Sequence, residues 1–492
     1  MHINFKSRTV SVLTLAVVAG ALLIFAFSAP WRSSTAAAAP QSPAAVRVSP
    51  LAPQSYADVV DRVAPAVVTI HAARRVRASQ QSPFLDDPLF RQFFGNPNGV
   101  TPRNNPSTLE QALGSGVIVS ADGHIITNHH VIDGAEQISV DLSDKRTFQA
   151  KVIGSDDASD LAILKIEATN LPVLTLGNSD KVRVGDVCLA VGNPLGIGQT
   201  VTMGIISAKG RATAQGDGSF EDFLQTDAAI NQGNSGGALV DARGELIGIN
   251  SQILSPSGGN IGIGFAIPSN MARNVMDQLI KNGKVSRGKL GVVIQDITAD
   301  LAKSLNLNQV TGVLINSVDA GSPAEKAGVQ IGDVITAVNG SPVADGNALR
   351  NQIGGTAPGT EVALTILRNG KEMQVHARLT ELAPGNQAAA SSGGGSESGG
   401  GQLGITVQPV TPALASRLKL PGTEGVVVTD VQPGSPAADA GIQPDDVILQ
   451  VNRQPVKSGA DVRAGVQASG SRPTLLLINR NGSNVFMAVQ GK

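Results

Sequence analysis

The sequence predicts a mostly β chain, and three observations carry that prediction. Of 492 residues, 56 are glycine and only 3% are aromatic, a composition suited to short strands and tight turns rather than helical bundles. Between Gly114 and Ala266, β-rich runs such as Gly116-Val117-Ile118-Val119 and Leu161-Ala162-Ile163-Leu164 alternate with Gly/Asp/Asn turns. That is the pattern of an antiparallel barrel or sandwich. Further on, Gly312–Val343 and Gly425–Val456 align without a gap at an offset of 113, with 17 of 32 positions identical. These are two copies of one domain, too few and too long for a solenoid. A net charge of −1 with no basic tract excludes the footprint of a nucleic-acid binder.

In chain order, Lys6 and Arg8 precede an uncharged run to Trp31 and then small residues, the plan of a secretory leader. Ala36-Ala37-Ala38 supplies a cleavage motif, so residues 1–38 are assigned to the leader. The alternative is an uncleaved anchor, because Val10 to Ala29 is long enough to span a bilayer. Tyr56 to Ile70 reads as a short amphipathic helix entering a strand. The long segment from Arg74 to Leu113 carries Phe90-Arg91-Gln92-Phe93-Phe94, either a contact site or a cap on its own domain. The single cysteine, Cys188, excludes an intramolecular disulfide, and its apolar neighbours point to a buried, inert thiol. Ser269 reads as a helix N-cap, with Met271, Val275, Leu279 and Ile280 at helical spacing and Gly283 as the stop. Domains are therefore expected at 54–283, 286–381 and 402–490, with a Gly/Ser-rich linker at 384–401.

The chemistry centres on Gly233-Asn234-Ser235-Gly236-Gly237. A serine hydroxyl needs a base to take its proton and backbone N–H groups to hold the oxyanion formed by its attack. Flanking glycines let the backbone turn sharply enough to aim those groups. A histidine titrates near neutrality and suits the base, and Thr127-Asn128-His129-His130-Val131 follows a predicted strand. Spacing alone does not choose between His129 and His130. The orienting carboxylate is sought among Asp156, Asp157 and Asp160. Asp160 immediately precedes an apolar strand, whereas Asp156 and Asp157 fit a solvated turn. The order His…Asp…Ser is one of the few that such a triad adopts.

Together, TNHHVIDGA, SDLAILKI and TDAAINQGNSGGALVD resemble the HtrA (Do-like, Deg) family of serine proteases. The resemblance runs from Tyr56 to the C-terminus, and the two repeats resemble PDZ domains. It implies a chymotrypsin-like double β-barrel followed by two PDZ-like α+β domains. Carried over by motif, it places the base at His130, the orienting carboxylate at Asp160 and the nucleophile at Ser235. The oxyanion donors fall in Gly233, Asn234 and Ser235. His129 departs from the asparagine usual in the family. The resemblance also implies a pocket of Ala229, Ile230, Ile253 and Ile263, without an acid, so cleavage after small or medium aliphatic residues is expected. Leu290, Gly291 and Val292, and likewise Leu403, Gly404 and Ile405, match the loop that captures a peptide's terminal carboxylate in a strand-adding module.

The expected activity is ATP-independent degradation of misfolded or mislocalised proteins in the periplasm, with the repeats tethering substrate and regulating the site. The alternatives are a scaffold for unfolded chains or a protease making one signalling cut, and for localisation an inner-membrane anchor facing the periplasm. No phosphate-binding G-x-x-x-x-G-K-[S/T] loop, HExxH or Cys/His cluster is present, so no cofactor and no metal are expected. The resemblance implies as partners unfolded or C-terminally exposed polypeptides and copies of the chain itself, as homo-trimers that can build larger cages. No nucleic acid is expected, and contact with a membrane is at most transient.

Overall fold

The computed structural model describes residues 55–76, 108–193, 198–213, 219–255, 259–307, 309–383, 403–418, 420 and 422–490. The leader at 1–38, the Phe90–Phe94 cluster and the linker at 384–401 lie outside the described residues.

A short helix, α1 (Ala57–Val63), enters β1 (Val67–Val76). The chain continues through β2 (Thr108–Ile118), β3 (His124–Thr127), the one-turn helix α2 (His129–Ile132), β4 (Gln137–Asp141), β5 (Thr147–Asp156) and β6 (Leu161–Ile166). These strands close into a barrel in the order β1-β2-β3-β6-β5-β4. A second barrel is built from β7 (Val187–Gly192), β8 (Thr200–Arg211), β9 (Phe223–Thr226), β10 (Ala238–Asp241), β11 (Leu246–Ile253) and β12 (Gly264–Pro268). It closes in the order β10-β11-β12-β9-β8-β7. Each interior is apolar. Val68, Ile70, Ile118, Ile125 and Leu164 fill the first, and Cys188, Ile206, Leu224, Ile230 and Leu239 fill the second. Closure leaves neither barrel with an open strand edge.

Helix α3 (Ser269–Asn282) follows the second barrel. Its buried stripe of Ala272, Val275 and Leu279 joins Val63, Val117, Leu161, Leu189 and Val240 in a cluster that cements both barrels. Gly154 on β5 gives it room, since a Cβ there would meet Leu279 at 3.0 Å. Ser269 is the first helical residue rather than the cap. Its hydroxyl donates to Gly177 O at 3.0 Å, and Pro268 in extended conformation precedes the helix. Gly283 ends it at φ 69°. Cys188 is buried, with Sγ 3.1 Å from Thr226 Oγ1, and burial pushes the thiol up to about 11.

The first repeat contains β13 (Gly288–Lys289), β14 (Val292–Asp296), α4 (Ala299–Leu305), β15 (Val313–Val318), α5 (Pro323–Lys326), β16 (Val334–Val338), β17 (Ser341–Pro342), α6 (Gly346–Gly354), β18 (Glu361–Arg368), β19 (Lys371–Arg378) and β20 (Thr380–Glu381). Its main sheet runs β14-β15-β16-β18-β19. The second repeat follows the same plan with β21 (Ile405–Pro409), α7 (Pro412–Arg417), β22 (Val426–Val431), α8 (Pro436–Asp439), β23 (Val447–Val451), β24 (Gln454–Pro455), α9 (Gly459–Ser469), β25 (Thr474–Arg480) and β26 (Ser483–Val489).

Sequence identity becomes structural identity at one buried ion pair in each copy. Arg368 Nε and Nη2 lie 2.7 Å from the two Asp333 oxygens, and Arg480 repeats both distances with Asp446. Each aspartate also accepts a backbone N–H at 2.8 Å, from Gln330 and Gln443 respectively. The repeats pack on one another: Leu301, Leu305 and Leu314 of the first share a buried cluster with Leu475, Leu477 and Phe486 of the second.

Candidate active site

Three turns from different parts of the chain converge at the junction of the two barrels. The first is the end of β3, where Asn128 and α2 present His130. The second is a 3-10 turn, Asp157–Ser159, that ends at Asp160 in the left-handed region at φ 53°. Asp160 is held there from several sides. His130 N donates to its Oδ1 at 3.1 Å, and Asn128 Nδ2 donates to its carbonyl at 2.9 Å. His130 Nδ1 lies 2.9 Å from both carboxylate oxygens.

The third turn is Gly233–Gly237. Gly233 and Gly236 have φ of 94° and 81°, values that favour glycine. A Cβ on Gly236 would meet Ser115 O at 2.1 Å, so only glycine fits. Ser115, on β2, grips this loop from the other barrel. Its N–H donates to Ser235 O at 2.8 Å and its hydroxyl to Gly233 O at 2.6 Å, while Asn193 N donates to that hydroxyl at 2.9 Å. Asn234 N donates to Asn231 O at 3.0 Å. Among the described residues, the N–H groups of Gly233 and Ser235 meet no protein acceptor.

Ser251, near the end of β11, joins the turns. Its carbonyl accepts from Ser235 Oγ at 2.9 Å, and its hydroxyl donates to Asp160 Oδ2 at 2.9 Å. Ser251 therefore contacts both Ser235 and Asp160, through two different groups, and Asp160 in turn pairs with His130. Burial disfavours charge on the imidazole, yet the Asp160 charge and hydrogen bond outweigh it and hold His130 above the ordinary histidine value. Burial likewise pushes Asp160 up, but the His130 charge, together with three hydrogen bonds from His130 and Ser251, holds it below the usual carboxylate range.

Ser115 and Ser251 were not singled out by sequence reasoning, because a lone serine in a strand carries no pattern. Asp156 departs from expectation. It is no solvated turn residue but lies with Arg287 in a pair whose side chains are each 11% exposed. Asp157, 80% exposed, is solvated as expected. His129 sits beside His130 but turns toward Asp157 and Asp133, with Nε2 at 3.8 and 3.9 Å.

Of the expected pocket residues, Ile230 is wholly buried in the second barrel and Ile253 packs against that same cluster. Ile230 Cδ1 is 3.0 Å from where a Cβ on Gly264 would stand. Ala229 is half-buried, its carbonyl accepting from Thr202 Oγ1 at 2.8 Å, and Ile263 is half-buried against the inter-barrel cluster. In the first repeat, Leu290 is a core residue and Val292 opens β14, the edge strand of its sheet. Gly291 sits at φ 80°, where a Cβ would meet Ser322 Cβ at 2.4 Å. Gly404 repeats this at φ 77° beside Ser435.

Known proteins share this architecture. Residues 114–249 match the trypsin-like peptidase domain family, and residues 288–379 and 427–480 each match a PDZ domain family. A probable periplasmic serine endoprotease DegP-like of Chlamydia trachomatis is 45% identical over 84% of this chain and 82% of its own length. The periplasmic pH-dependent serine endoprotease DegQ of Escherichia coli is 43% identical over 87% of this chain and 90% of its own. Among solved structures, the HtrA-type protease AlgW with tripeptide is 45% identical, with a TM-score of 0.54 over 67% of this chain and 98% of that one. The two barrels, the paired repeats and this extent of identity lead to one conclusion: the chain belongs to the HtrA (DegP/DegQ) family of periplasmic serine endoproteases.

Proposed function

We propose that Ser235 is the nucleophile, His130 the general base and Asp160 the group that orients the imidazole. The observation that supports this reading is that Ser251 contacts both Ser235 Oγ, through its carbonyl, and Asp160, through its hydroxyl, while Asp160 pairs with His130 Nδ1. The Ser235 proton points to Ser251 O in the resting site, and rotation of the hydroxyl delivers it to His130 as Oγ attacks the scissile carbonyl. His130 then gives the proton to the leaving amine, while Asp160 keeps the imidazole in the required tautomer. The N–H groups of Gly233 and Ser235 receive the oxyanion, and Asn234 supports the turn rather than donating. One such donor supplies roughly 3 kcal/mol of transition-state stabilisation.

Substrates are unfolded polypeptides, cut after Val, Ala or similar residues, because Ala229, Ile253 and Ile263 offer no acid to a Lys or Arg side chain, Ile230 being buried in the barrel behind them. The 290–292 loop and β14 capture a C-terminal segment as an added strand. AlgW, solved with a tripeptide, supports peptide binding in this fold. Tethering raises the local concentration of the captured chain at the cutting site. The domain limits 54–283, 286–381 and 402–490 and assembly as a homo-trimer that builds larger cages belong to the same reading.

Digestion of casein by wild type and Ser235→Ala, with fluorophosphonate labelling mapped to its residue, tests it. Wild type digests and is labelled at Ser235, and the variant does neither. Labelling elsewhere, or digestion by the variant, overturns the assignment.

A further inference from the structure

Ser251 is held by little backbone pairing of its own. Along the β11–β12 ladder, Asn250 pairs with Ala266 and Gln252 with Phe265, so Ser251 is the extra residue of a bulge. Bulges re-aim a side chain at the cost of local ladder support. Here the residue re-aimed is the one that joins Ser235 to Asp160, so its position depends on what holds its neighbours.

The next residue is held by a side-chain relay. Gln252 Nε2 donates to Thr213 Oγ1 at 2.6 Å. That hydroxyl's single proton goes on to the Glu221 carboxylate, 3.3 Å from each oxygen, and Thr213 N also donates to Glu221 Oε2. Every link runs donor to acceptor in one direction, an arrangement in which each bond polarises the next. The relay is anchored at its far end. Glu221 O accepts from Asn351 Nδ2 at 2.6 Å and Asn347 Nδ2 at 2.8 Å, both on α6 of the first PDZ domain.

We propose that Thr213 and Glu221 are positioning residues for the nucleophile: through Gln252 they hold the bulge at Ser251, and α6 forms part of that support. Neither residue touches the reacting atoms. The inference rests on the roles given above to Ser235, His130 and Asp160.

Thr213→Val keeps the shape and the backbone N–H contact with Glu221 but removes both hydroxyl bonds, and Thr213→Ser restores them. Kinetics on a peptide with valine before the cut, fluorophosphonate labelling rates and thermal unfolding are measured for full-length wild type, both variants and Ser235→Ala. The expected result for Thr213→Val is a fall in kcat and in labelling rate of about tenfold, the scale of one lost hydrogen bond. KM stays within twofold, the unfolding temperature is unchanged, and Thr213→Ser recovers to within twofold. Thr213→Val with wild-type kcat overturns the relay, as does equal impairment of both variants. Wild type that is not labelled at Ser235 overturns the catalytic assignment and the relay together.

Discussion

Arg287 and Asp156 face each other through two parallel contacts, Nη1 to Oδ1 at 2.8 Å and Nη2 to Oδ2 at 2.5 Å. The guanidinium also lies over the Phe220 ring, 4.4 Å from its centroid. The pair ties the start of the first PDZ domain to the residue that opens the Asp157–Ser159 turn, four residues before Asp160. Ser159 N and Oγ both donate to the same Asp156 oxygen, so the turn and the domain junction share one carboxylate. Arg287→Ala leaves that carboxylate buried and unpaired. The expected cost is about 3–5 kcal/mol, read as a lowered unfolding temperature, together with reduced proteolysis. Burial pushes Asp156 up, but Arg287 and Ser159 hold it below the ordinary carboxylate value. This contribution is therefore present above the unfolded-state value and lost as pH falls through the folded one. An unchanged unfolding temperature in Arg287→Ala would remove the pair from the stability account.

The acid limb of the pH–activity profile follows from His130. In the proposed role its neutral form is the base, and Asp160 holds its value above the ordinary one. Activity should therefore fall with decreasing pH through a point above about 6.5. Asp160→Asn should lower kcat by up to about 10⁴-fold and move the limb to lower pH. For stability the signs differ. The His130 contribution is full below about 6.5 and lost as pH rises through the raised folded value. The Asp160 contribution is full above about 3.9 and lost as pH falls through the depressed folded value. Unfolding of Ser235→Ala against Ser235→Ala/Asp160→Asn should accordingly differ most between about pH 4 and 6.5.

Ser115→Ala removes the hydroxyl that fixes Gly233 O and accepts from Asn193 N. If Gly233 N–H is an oxyanion donor, loosening its peptide should lower kcat by about 10- to 100-fold while leaving KM near wild type. Steady-state kinetics on one peptide decide the matter.

The two buried aspartates of the repeats should behave alike. Asp333→Ala and Asp446→Ala each remove a buried carboxylate that pairs with a half-buried arginine and accepts a backbone N–H, at an expected cost of about 1–3 kcal/mol to the repeat concerned. Hydrogen exchange resolved along the chain should show lost protection in the mutated repeat first.

Truncation of Leu279, a fully buried residue of α3, should cost about 2–5 kcal/mol, because it packs against both barrels and cannot be replaced by local collapse. Chemical denaturation of Leu279→Ala measures this. Ile280→Ala, at a position 42% exposed, should cost far less.

Periodicity, turn chemistry and self-similarity along one dimension were enough for the β-rich class, the duplicated C-terminal unit and the glycine-bounded serine. They reached these features because alternation, Gly-bounded turns and repeated motifs are local properties of a chain. Even Gly236, Gly291 and Gly404 could be picked out from sequence, although the Ser115, Ser322 and Ser435 contacts that demand glycine there could not. The choice between His129 and His130 was not a matter of spacing. Adjacent residues on a one-turn helix point in different directions, and only the folded turn puts one imidazole on Asp160 and sends the other toward Asp157 and Asp133. Asp156 was misjudged for the same reason: its partner lies 131 residues away. Ser115 and Ser251 meet the Gly233–Gly237 turn because strands distant in sequence close into barrels and bring them within hydrogen-bonding distance. The amino-acid order thus determined which groups with suitable chemistry exist and which segments are strands. Barrel closure and the docking of the first PDZ domain decided which of those groups meet, since a hydrogen bond depends on distance and angle in three dimensions.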